Sequence, residues 1–329
     1  MESVPNVLIT GGYGCIGAAT TKWLLHNTNS HVTLLSRSAD EDRTQRVFEN
    51  VDRSRLEVVA CDVSDGPQVD QWISHHSFTR IAHLAGLQTP DCNSHRDRGL
   101  QTNLAGTQNL IEAMKHSQTS LQRFVFASSM AVYGPRSTYP TGRIETDSEP
   151  MPVNVYGVWK LAAENLCRLF AHDTGIATAC LRPGAVFGPG RDAGQTAAPT
   201  TAMKQIALGQ PYEIPYRNSQ DYLYAPDVGA AFGNALMEPY DGFGAFTLPS
   251  HTASTAEMIN AMQTSASSLG IPERFQITAG ESEVPFVCDL DFQPFLDAFP
   301  NTTHTPLSES IQQSIEHFVA EADQGRLKI

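Results

Sequence analysis

The amino-acid sequence predicts an α/β protein: a doubly wound, Rossmann-type parallel sheet with a smaller C-terminal substrate-binding domain. Two features of its first half support this prediction. Short, uninterrupted apolar runs alternate with helix-like segments, and such runs are typical of parallel strands covered on both faces. A glycine cluster at residues 11–17 follows the first apolar run and opens the first helix, which is the context of a phosphate-binding turn in this fold class.

The elements follow in order along the chain. Strands are predicted at residues 7–9, 32–35, 56–60, 80–85, 124–127 and 177–181. Helices are predicted at residues 16–26, 69–77, 100–117, 156–172, 200–208, 227–237, 256–269 and 308–321, and the rest of 184–215 is predicted as loop. We therefore expect a dinucleotide-binding domain over residues 1–183, with returning segments near 220–248, and a mainly substrate-binding domain over 184–329.

Composition and charge narrow the function classes. The 329 residues include 22 Lys or Arg and 35 Asp or Glu, a net charge of −13, and such a surface repels nucleic acid and anionic membranes. The six cysteines contain no C-x-x-C pair, which predicts free thiols in a reducing compartment and no metal site. We see no secretory signal and no long apolar stretch, and expect a cytoplasmic protein with a small-molecule substrate.

The glycine cluster predicts a dinucleotide site. Gly11 permits a tight turn, Gly14 lets the backbone approach a pyrophosphate, and Gly17 lets the helix pack closely on the sheet. The helix N-terminus offers free N–H groups and a positive dipole end to the phosphates. The cofactor contacts expected from this turn are Gly11, Gly14, Cys15 and Ile16.

The end of the second predicted strand bears on which dinucleotide binds. An acidic residue there would bind the ribose 2′-hydroxyl of NAD. This chain has Ser36 and Arg37 instead, and an arginine can pair with a 2′-phosphate. The pattern favours NADP over NAD, with a solvated surface arginine as the alternative interpretation.

A tyrosine and a lysine are spaced for proton transfer. Tyr156 and Lys160 are four residues apart and share one face of the predicted helix. A nearby ammonium lowers the pKa of a phenol towards working pH. Two serines, Ser128 and Ser129, follow the buried strand 124–127, and ligands of such sheets bind beyond the carboxyl ends of the strands.

With these residues in this order, the sequence resembles the extended short-chain dehydrogenase/reductase family, also described as the NAD-dependent epimerase/dehydratase family. The matching motifs are T-G-G-Y-G-C-I-G at 10–17, C-D-V-S-D at 61–65, H-L-A-G at 83–86, Asn103 within N-L-A-G-T-Q-N-L, S-S-M-A-V-Y-G at 128–134, Tyr156 with Lys160, L-R-P-G-A-V-F-G-P-G at 181–190 and D-Y-L-Y-A-P-D-V at 221–228. They span nearly the whole chain and specify the family far better than the substrate.

The resemblance implies roles for individual residues. Ser129 matches the catalytic serine, Tyr156 the acid–base tyrosine, and Lys160 the lysine that binds the nicotinamide ribose and tunes that tyrosine. The further cofactor contacts that it implies are Asp62, Val63, Leu84, Ala85, Gly86, Asn103, Pro183 and Val186. It also implies a homodimer through the helices 100–117 and 156–172.

Two departures from the family pattern concern the substrate. Nucleotide-sugar enzymes of the family usually carry an asparagine where this chain has Ala185, and often an arginine where it has Gln220. A diphosphate needs cationic or multiple hydrogen-bonding partners, so these losses favour a substrate without one, unless Arg191 or Arg217 substitutes. The substrate contacts expected are Gln88, Ser129, Met130, Ala185 and Arg191, whereas residues 270–300 carry no recognisable functional pattern.

Three functions fit this set of residues. The leading hypothesis is an NAD(P)-dependent dehydrogenase/reductase that transfers a hydride between nicotinamide and a secondary alcohol or ketone of a small polar substrate. The main alternative is a nucleotide-sugar epimerase that uses bound NAD without net consumption. Met130 stands where dehydratases of the family often carry an acidic residue, which favours epimerisation over dehydration. A non-catalytic NADP-binding sensor is the minor alternative.

Overall fold

The computed structural model of the protein describes residues 4–116 and 121–328. Ser117, the last residue of one predicted helix, lies outside the described residues, as do 1–3, 118–120 and 329. The strands are β1 (Asn6–Thr10), β2 (His31–Ser36), β3 (Leu56–Ala60), β4 (Arg80–His83), β5 (Arg123–Ala127), β6 (Ala177–Arg182), β7 (Ala185–Phe187), β8 (Tyr212–Ile214), β9 (Ser219–Tyr224), β10 (Phe243–Thr247), β11 (His251–Ser254) and β12 (Ile277–Ala279). The helices are α1 (Cys15–Asn27), α2 (Glu41–Val47), α3 (Gly66–His75), α4 (Thr89–Ser94), α5 (Arg96–Leu100), α6 (Gly106–His116), α7 (Val155–Thr174), α8 (Ala198–Leu208), α9 (Ala225–Met237), α10 (Thr255–Ser268), α11 (Gln293–Ala298) and α12 (Leu307–Asp323).

A seven-stranded sheet confirms the predicted fold class. Its strand order is β10-β6-β5-β4-β1-β2-β3, and each neighbouring pair is parallel. The chain first winds outward from β1 to β3 and then crosses to β4 on the other side of β1. The loops after β1 and β4 therefore separate at the switch point of the sheet, where ligands of doubly wound proteins bind.

Both faces of this sheet are buried, which explains the uninterrupted apolar runs. Alternate side chains of a strand point to opposite faces. Val7 and Ile9 of β1 accordingly belong to one core cluster, whereas Leu8 packs with Phe124 and Phe126 of β5 in the other. All five side chains have 0 % exposed surface, so each face of the sheet needs a layer of helices.

The C-terminal part has a core of its own. β7, β9 and β11 form a three-stranded sheet, and β8 pairs with β12. Between them and the helices α8, α10 and α12 lie buried apolar side chains that include Met203, Ile206, Met258, Ile311 and Phe318. Since this cluster is separate from those of the large sheet, we propose that the domain division lies near residue 183.

Two segments of the second half join the first. β10 extends the large sheet beside β6, and α9 packs closely on α1. A Cβ added at Gly229 would lie 2.6 Å from Ala19 C, and one at Gly233 would lie 2.1 Å from the ring of Trp23. These glycines let the two helices approach each other along one face of the sheet.

Several local predictions were wrong. The segment 184–215, predicted as loop around one helix, also contains β7 and β8, which are three-residue strands too short to show a period. The helix predicted at 100–117 is α5 and α6 joined by a π-helical turn, Gln101–Ala105. The helix predicted at 69–77 begins at Gly66, because Asp65 caps its first turn.

Among the residues that the structure describes, no helix is long and apolar enough to cross a membrane. The same residues include no cluster of three His, Cys, Asp or Glu side chains arranged to hold a metal ion. The six cysteines are free thiols.

Candidate active site

A cleft opens at the carboxyl ends of β1, β4 and β5, at the switch point of the sheet. The turn before α1, the loops after β4, β5 and β6, the start of α7 and the irregular segment 284–287 line it. The sequence-predicted residues in this lining are Gly11, Gly14, Cys15, Ile16, Leu84, Gly86, Gln88, Ser129, Met130, Tyr156, Lys160, Pro183, Val186 and Arg191. The fold thus brings the glycine turn and the proton-handling residues into one site.

The glycine turn is too tight for side chains. Gly11 has a φ of +72°, and a Cβ there would lie 2.7 Å from Ala85 N, so Ala85 stands behind the turn. A Cβ at Gly17 would lie 2.4 Å from Gly11 O. Gly14, which has no side chain to offer the helix, is the N-cap of α1, so the first N–H groups of α1 are open to a phosphate.

Two neighbouring groups also fit a nicotinamide dinucleotide. Ser128 Oγ is buried and has no hydrogen-bond partner among the described residues, although it lines the cleft. A buried hydroxyl of this kind requires a partner, which a bound ligand would provide. Burial raises the pKa of Cys15 to about 11, so this thiol stays neutral beside the phosphate-binding turn.

Thr10 and His83, which the sequence did not single out as site residues, hold the loop after β4 in place. Thr10 Oγ1 lies 2.7 Å from His83 Nδ1 and accepts hydrogen bonds from the backbone N–H groups of Leu84 and Ala85. The strand β4 ends at His83, two residues earlier than predicted. His83 Nε2 lies 3.0 Å from Thr107 Oγ1, and burial lowers the pKa of His83 to about 3, so the imidazole is neutral and structural.

The residues predicted to bind the adenosine end lie outside the cleft lining. Ser36 ends β2 and Arg37 follows it, and the Arg37 side chain is exposed, with no ion pair among the described residues. Asp62 accepts hydrogen bonds from Ser64, and Val63 is buried under α6. Their assignment to the adenosine stays a prediction.

Lys160 is fully buried on α7 and points at the end of β5. Its Nζ donates a hydrogen bond of 2.6 Å to Ala127 O and lies 4.8 Å from the centre of the Phe126 ring. Burial lowers the pKa of Lys160 to about 8. A Cβ at Gly86 would lie 3.3 Å from this Nζ, so the glycine makes room for the ammonium group.

Asn103, a predicted cofactor contact, lies beside the loop after β4. It was expected to contact the cofactor, but it is buried in the π-helical turn and its amide bonds the backbone N–H and C=O of Leu87, at 2.7 and 2.9 Å. Asn103 therefore positions the loop after β4, and its contact with the cofactor stays a prediction.

The start of α7 places Tyr156 beside Ser129. Asn154 caps the helix by accepting a 2.9 Å hydrogen bond from Gly157 N. A Cβ at Gly157 would lie 2.1 Å from Ala131 O, so α7 packs directly on the short helical turn Met130–Val132 that follows the serine. The Ser129 side chain consequently lies close enough to Tyr156 to lower the pKa of the phenol.

The pKa of Tyr156 departs from the expectation based on the Y-x-x-x-K spacing. Burial raises it above the ordinary value, while the Ser129 hydrogen bond and the positive charge of Arg191 lower it. Lys160 Nζ lies 5.8 Å from the centre of the Tyr156 ring and is bonded to Ala127 O. The expected lowering by Lys160 is therefore not found in the protein alone, because desolvation of the phenol outweighs the nearby charges.

The predicted substrate residues divide into two groups. Gln88, Met130 and Arg191 line the cleft with Ser129. Ala185 does not, which corrects that prediction: it is fully buried in the C-terminal core, whereas Val186 lines the cleft. Alternation of side chains along β7 sends neighbours to opposite sides.

The diphosphate-binding residues that this chain lacks, where it has Ala185 and Gln220, are not replaced by neighbouring residues in the described part of the chain. Gln220 is fully buried, and its Nε2 lies 3.4 Å from Tyr222 Oη. Arg217 is half-exposed and ion-paired with Glu281 at 2.9 Å and Glu283 at 3.1 Å. Arg191 is therefore the candidate substitute that lies in the cleft.

The segment 284–287 is a part of the site that sequence reasoning missed. Asp221, buried in β9, accepts hydrogen bonds from the backbone N–H groups of Asp289 and Leu290, at 3.1 and 3.0 Å, and from the Thr252 hydroxyl. Asn218 Oδ1 accepts one from Val284 N. These two side chains hold the segment against the cleft, and no periodicity within 270–300 could have revealed it.

Comparison with known proteins extends these observations. The model of the NAD dependent epimerase/dehydratase family matches residues 7–245. A dTDP-L-rhamnose 4-epimerase of Burkholderia thailandensis is 24 % identical over 306 residues, which cover 82 % of this chain and 82 % of that protein.

Solved structures of the same fold cover almost the whole chain. A UDP-glucose 4-epimerase of Thermotoga maritima with UDP-glucose aligns with a TM-score of 0.82 and 20 % identity, over 96 % of this chain and 99 % of that one. The UDP-glucose 4-epimerase of Thermus thermophilus in complex with NAD aligns with a TM-score of 0.77 and 22 % identity, over 95 % of this chain and 98 % of that one. At this level of identity the likeness shows a common fold.

Proposed function

The chain belongs to the NAD dependent epimerase/dehydratase family, hence to the extended short-chain enzymes, and we propose that it epimerises a secondary alcohol of a nucleotide sugar while keeping NAD bound. The main observation that supports this proposal is the cleft, because it combines the open glycine turn with Ser129, Tyr156 and Lys160. The 4-epimerases among the similar proteins support the reaction type, and they favour the epimerase over the net dehydrogenase that the sequence placed first.

The side chains of the cleft would handle the proton of the alcohol. Ser129 orients the substrate oxygen, and Tyr156 takes the proton from it and returns it when the opposite face of the substrate is presented. When bound, NAD supplies reversible hydride transfer at the substrate carbon. Because burial raises the pKa of Tyr156, its base form needs positive charge nearby, and Lys160 and Arg191 are the cations that line the described part of the cleft.

We propose NAD rather than NADP as the cofactor. The family is described as NAD dependent, and a similar solved structure is a complex with NAD. The exposed Arg37 remains the argument for NADP. Titration of the purified protein with both dinucleotides should show tighter binding of NAD; tighter binding of NADP would restore the preference drawn from Ser36 and Arg37.

A net dehydrogenase acting on a substrate without a diphosphate is the second candidate. The observation in its favour is the pair of departures from the nucleotide-sugar pattern, Ala185 and Gln220, which are both buried away from the cleft lining. In this reaction Ser129, Tyr156 and Lys160 would keep the same roles, but reduced nicotinamide would accumulate.

The two reactions are distinguished by one assay. Purified protein is incubated with UDP-glucose, UDP-glucuronate and a panel of free polyols and sugar acids, and products are followed by NMR together with the absorbance of reduced nicotinamide. We expect an epimer without net reduction of the cofactor. Net reduction with a free substrate would favour the dehydrogenase, and dinucleotide binding without any product would favour the sensor.

We also propose a homodimer through the segments 100–117 and 156–172, which include most of α6 and α7. Apolar side chains are exposed on these segments: Leu100 by 38 %, Val158 by 48 % and Leu169 by 48 %. Val158 and Leu169 are separated by about three helical turns and so lie on one face of α7.

A further inference from the structure

The cleft holds an arginine without a counter-charge. Among the described residues that line it, Lys160 and Arg191 are cationic and none is acidic. Lys160 is directed to Ala127 O. Arg191 makes no ion pair with any carboxylate of the described residues, and its Nε is buried without a hydrogen-bond partner among them.

The residues around Arg191 do not supply a carboxylate to its guanidinium in the described part of the chain. The backbone N–H of Arg191 donates to Gly188 O, and its Nη2 donates a 3.1 Å hydrogen bond to Thr196 Oγ1. The next residue, Asp192, is bound at 2.7 Å by Lys204 Nζ. A partly desolvated guanidinium with an unused N–H is costly unless a ligand supplies the acceptor.

The amide of Gln88 lies beside this guanidinium. A Cβ at Gly194 would lie 1.8 Å from Gln88 Oε1 and 2.9 Å from Arg191 Nη2. Both side chains therefore share the space over Gly194, which only a residue without a Cβ leaves open. Gln88, Arg191 and Thr196 all line the cleft that contains Ser129 and Tyr156.

We propose that Arg191, together with Gln88 and Thr196, binds a carboxylate carried by the reacting sugar, so that the substrate is a sugar acid. This inference rests on the proposed function, whose substrate it specifies. One guanidinium matches one carboxylate in two parallel hydrogen bonds, whereas a diphosphate carries more charge than this arginine neutralises.

The position of Arg191 supports a carboxylate on the reacting sugar. Arg191 lines the same cleft as Ser129 and Tyr156, the side chains that would meet the reacting oxygen. An acid bound by Arg191 would therefore belong to the portion of the substrate next to that oxygen, as the carboxylate of a uronic acid does.

The test compares a substrate pair that differs in the acid alone. UDP-glucuronate and UDP-glucose, and the free pair glucuronate and glucose, are titrated into the NAD-loaded protein by calorimetry. The variants are Arg191→Gln, Arg191→Lys and, as a control outside the cleft, Arg53→Gln, which removes an exposed arginine paired with Glu41. NAD affinity is measured separately for each.

We expect the wild type and Arg53→Gln to bind the glucuronate compound of each pair about tenfold or more tightly than the glucose compound. Arg191→Gln should lose this difference in affinity, and Arg191→Lys should keep part of it. Unchanged preference in Arg191→Gln would overturn the inference. So would equal weakening of both UDP-sugars, which would assign Arg191 to the diphosphate, or weakening of NAD itself. If neither UDP-sugar binds but glucuronate does, the proposed nucleotide-sugar function fails and the acid site stands.

Discussion

Burial sets the chemistry of single residues at this site. Tyr156 is made less acidic by desolvation, and Lys160 less basic. The carbonyl of Ala127 and the face of Phe126 partly offset the cost of burying the ammonium group. A protein that keeps such a group in its interior sacrifices stability for function.

Replacement of Tyr156 by Phe should abolish turnover. The variant removes the hydroxyl that we propose transfers the proton, while the ring still fills its place, so we expect a loss in kcat of roughly 100- to 10,000-fold. NAD affinity, measured by fluorescence quenching, should change little. Tyr212→Phe, on β8 outside the cleft lining, is the matched control, and a Tyr156→Phe variant with wild-type turnover would remove the tyrosine from the mechanism.

Lys160→Met should stabilise the protein at neutral pH while abolishing turnover. The pKa of Lys160 falls from 10.5 to about 8 on folding, so the folded state binds this proton less tightly than the unfolded chain. The penalty is complete below about pH 8 and disappears as the pH rises past about 10.

Urea unfolding without added dinucleotide measures this difference. We expect a gain of roughly 1–3 kcal/mol near pH 7, reduced from the full shift because Ala127 O loses its donor. The gain should shrink near pH 10. A variant that is less stable than the wild type near pH 7, or a gain independent of pH, would contradict the argument.

At the scale of elements, the site is built from the ends of helices and strands and from irregular segments between them. α7 can carry Tyr156 to Ser129 because Asn154 caps it and Gly157 has no Cβ to meet Ala131 O. The π-helical turn presents Asn103 to the loop after β4. The segment 284–287 also lines the cleft; it lacks regular secondary structure and is held by side-chain hydrogen bonds.

Asp221→Ala should loosen that segment. Its carboxylate binds the backbone of Asp289 and Leu290, and losing both bonds should raise the KM for the sugar by about tenfold with NAD affinity unchanged. The matched control is Asp227→Ala, because Asp227 binds the backbone and hydroxyl of Thr305 in the same way, outside the cleft lining. If both variants lose stability but neither changes KM, Asp221 has a purely structural role.

At the scale of the whole molecule, the residues that line the cleft come from the large sheet and from the part of the chain that has a core of its own. The large sheet supplies the glycine turn and the strand ends, while the C-terminal core carries β9 and the segment it holds. β10 and α9 tie the halves together by joining the large sheet and α1. The exposed apolar residues of α7 lie on its outer face, away from the buried residues that contact the sheet.

Acidic substitutions on that face of α7 should dissociate the proposed dimer. Val158→Glu together with Leu169→Glu should convert a dimer into a monomer in size-exclusion chromatography with light scattering, because two like charges would face each other across the symmetric interface. Leu208→Glu, at the exposed end of α8, is the control. A wild type that is already monomeric, or a double variant that stays dimeric, would refute this interface.

The sequence by itself determined the fold class, the family and the glycine turn. Uninterrupted apolar strands and a glycine cluster between strand and helix are local patterns. Such patterns can be recognised in a sequence without knowledge of its tertiary contacts. The same holds for the Tyr156–Lys160 spacing, which a single helix is enough to define.

Only the tertiary structure decided which predicted residues reach the cleft. Ala185 is buried away from it, Asn103 binds the backbone of Leu87, the segment 284–287 lines it, and Arg191 and Gln88 share the space over Gly194. Each of these depends on contacts between residues far apart in the chain. The raised pKa of Tyr156 likewise depends on how much water the surrounding elements exclude, and no spacing within α7 contains that information.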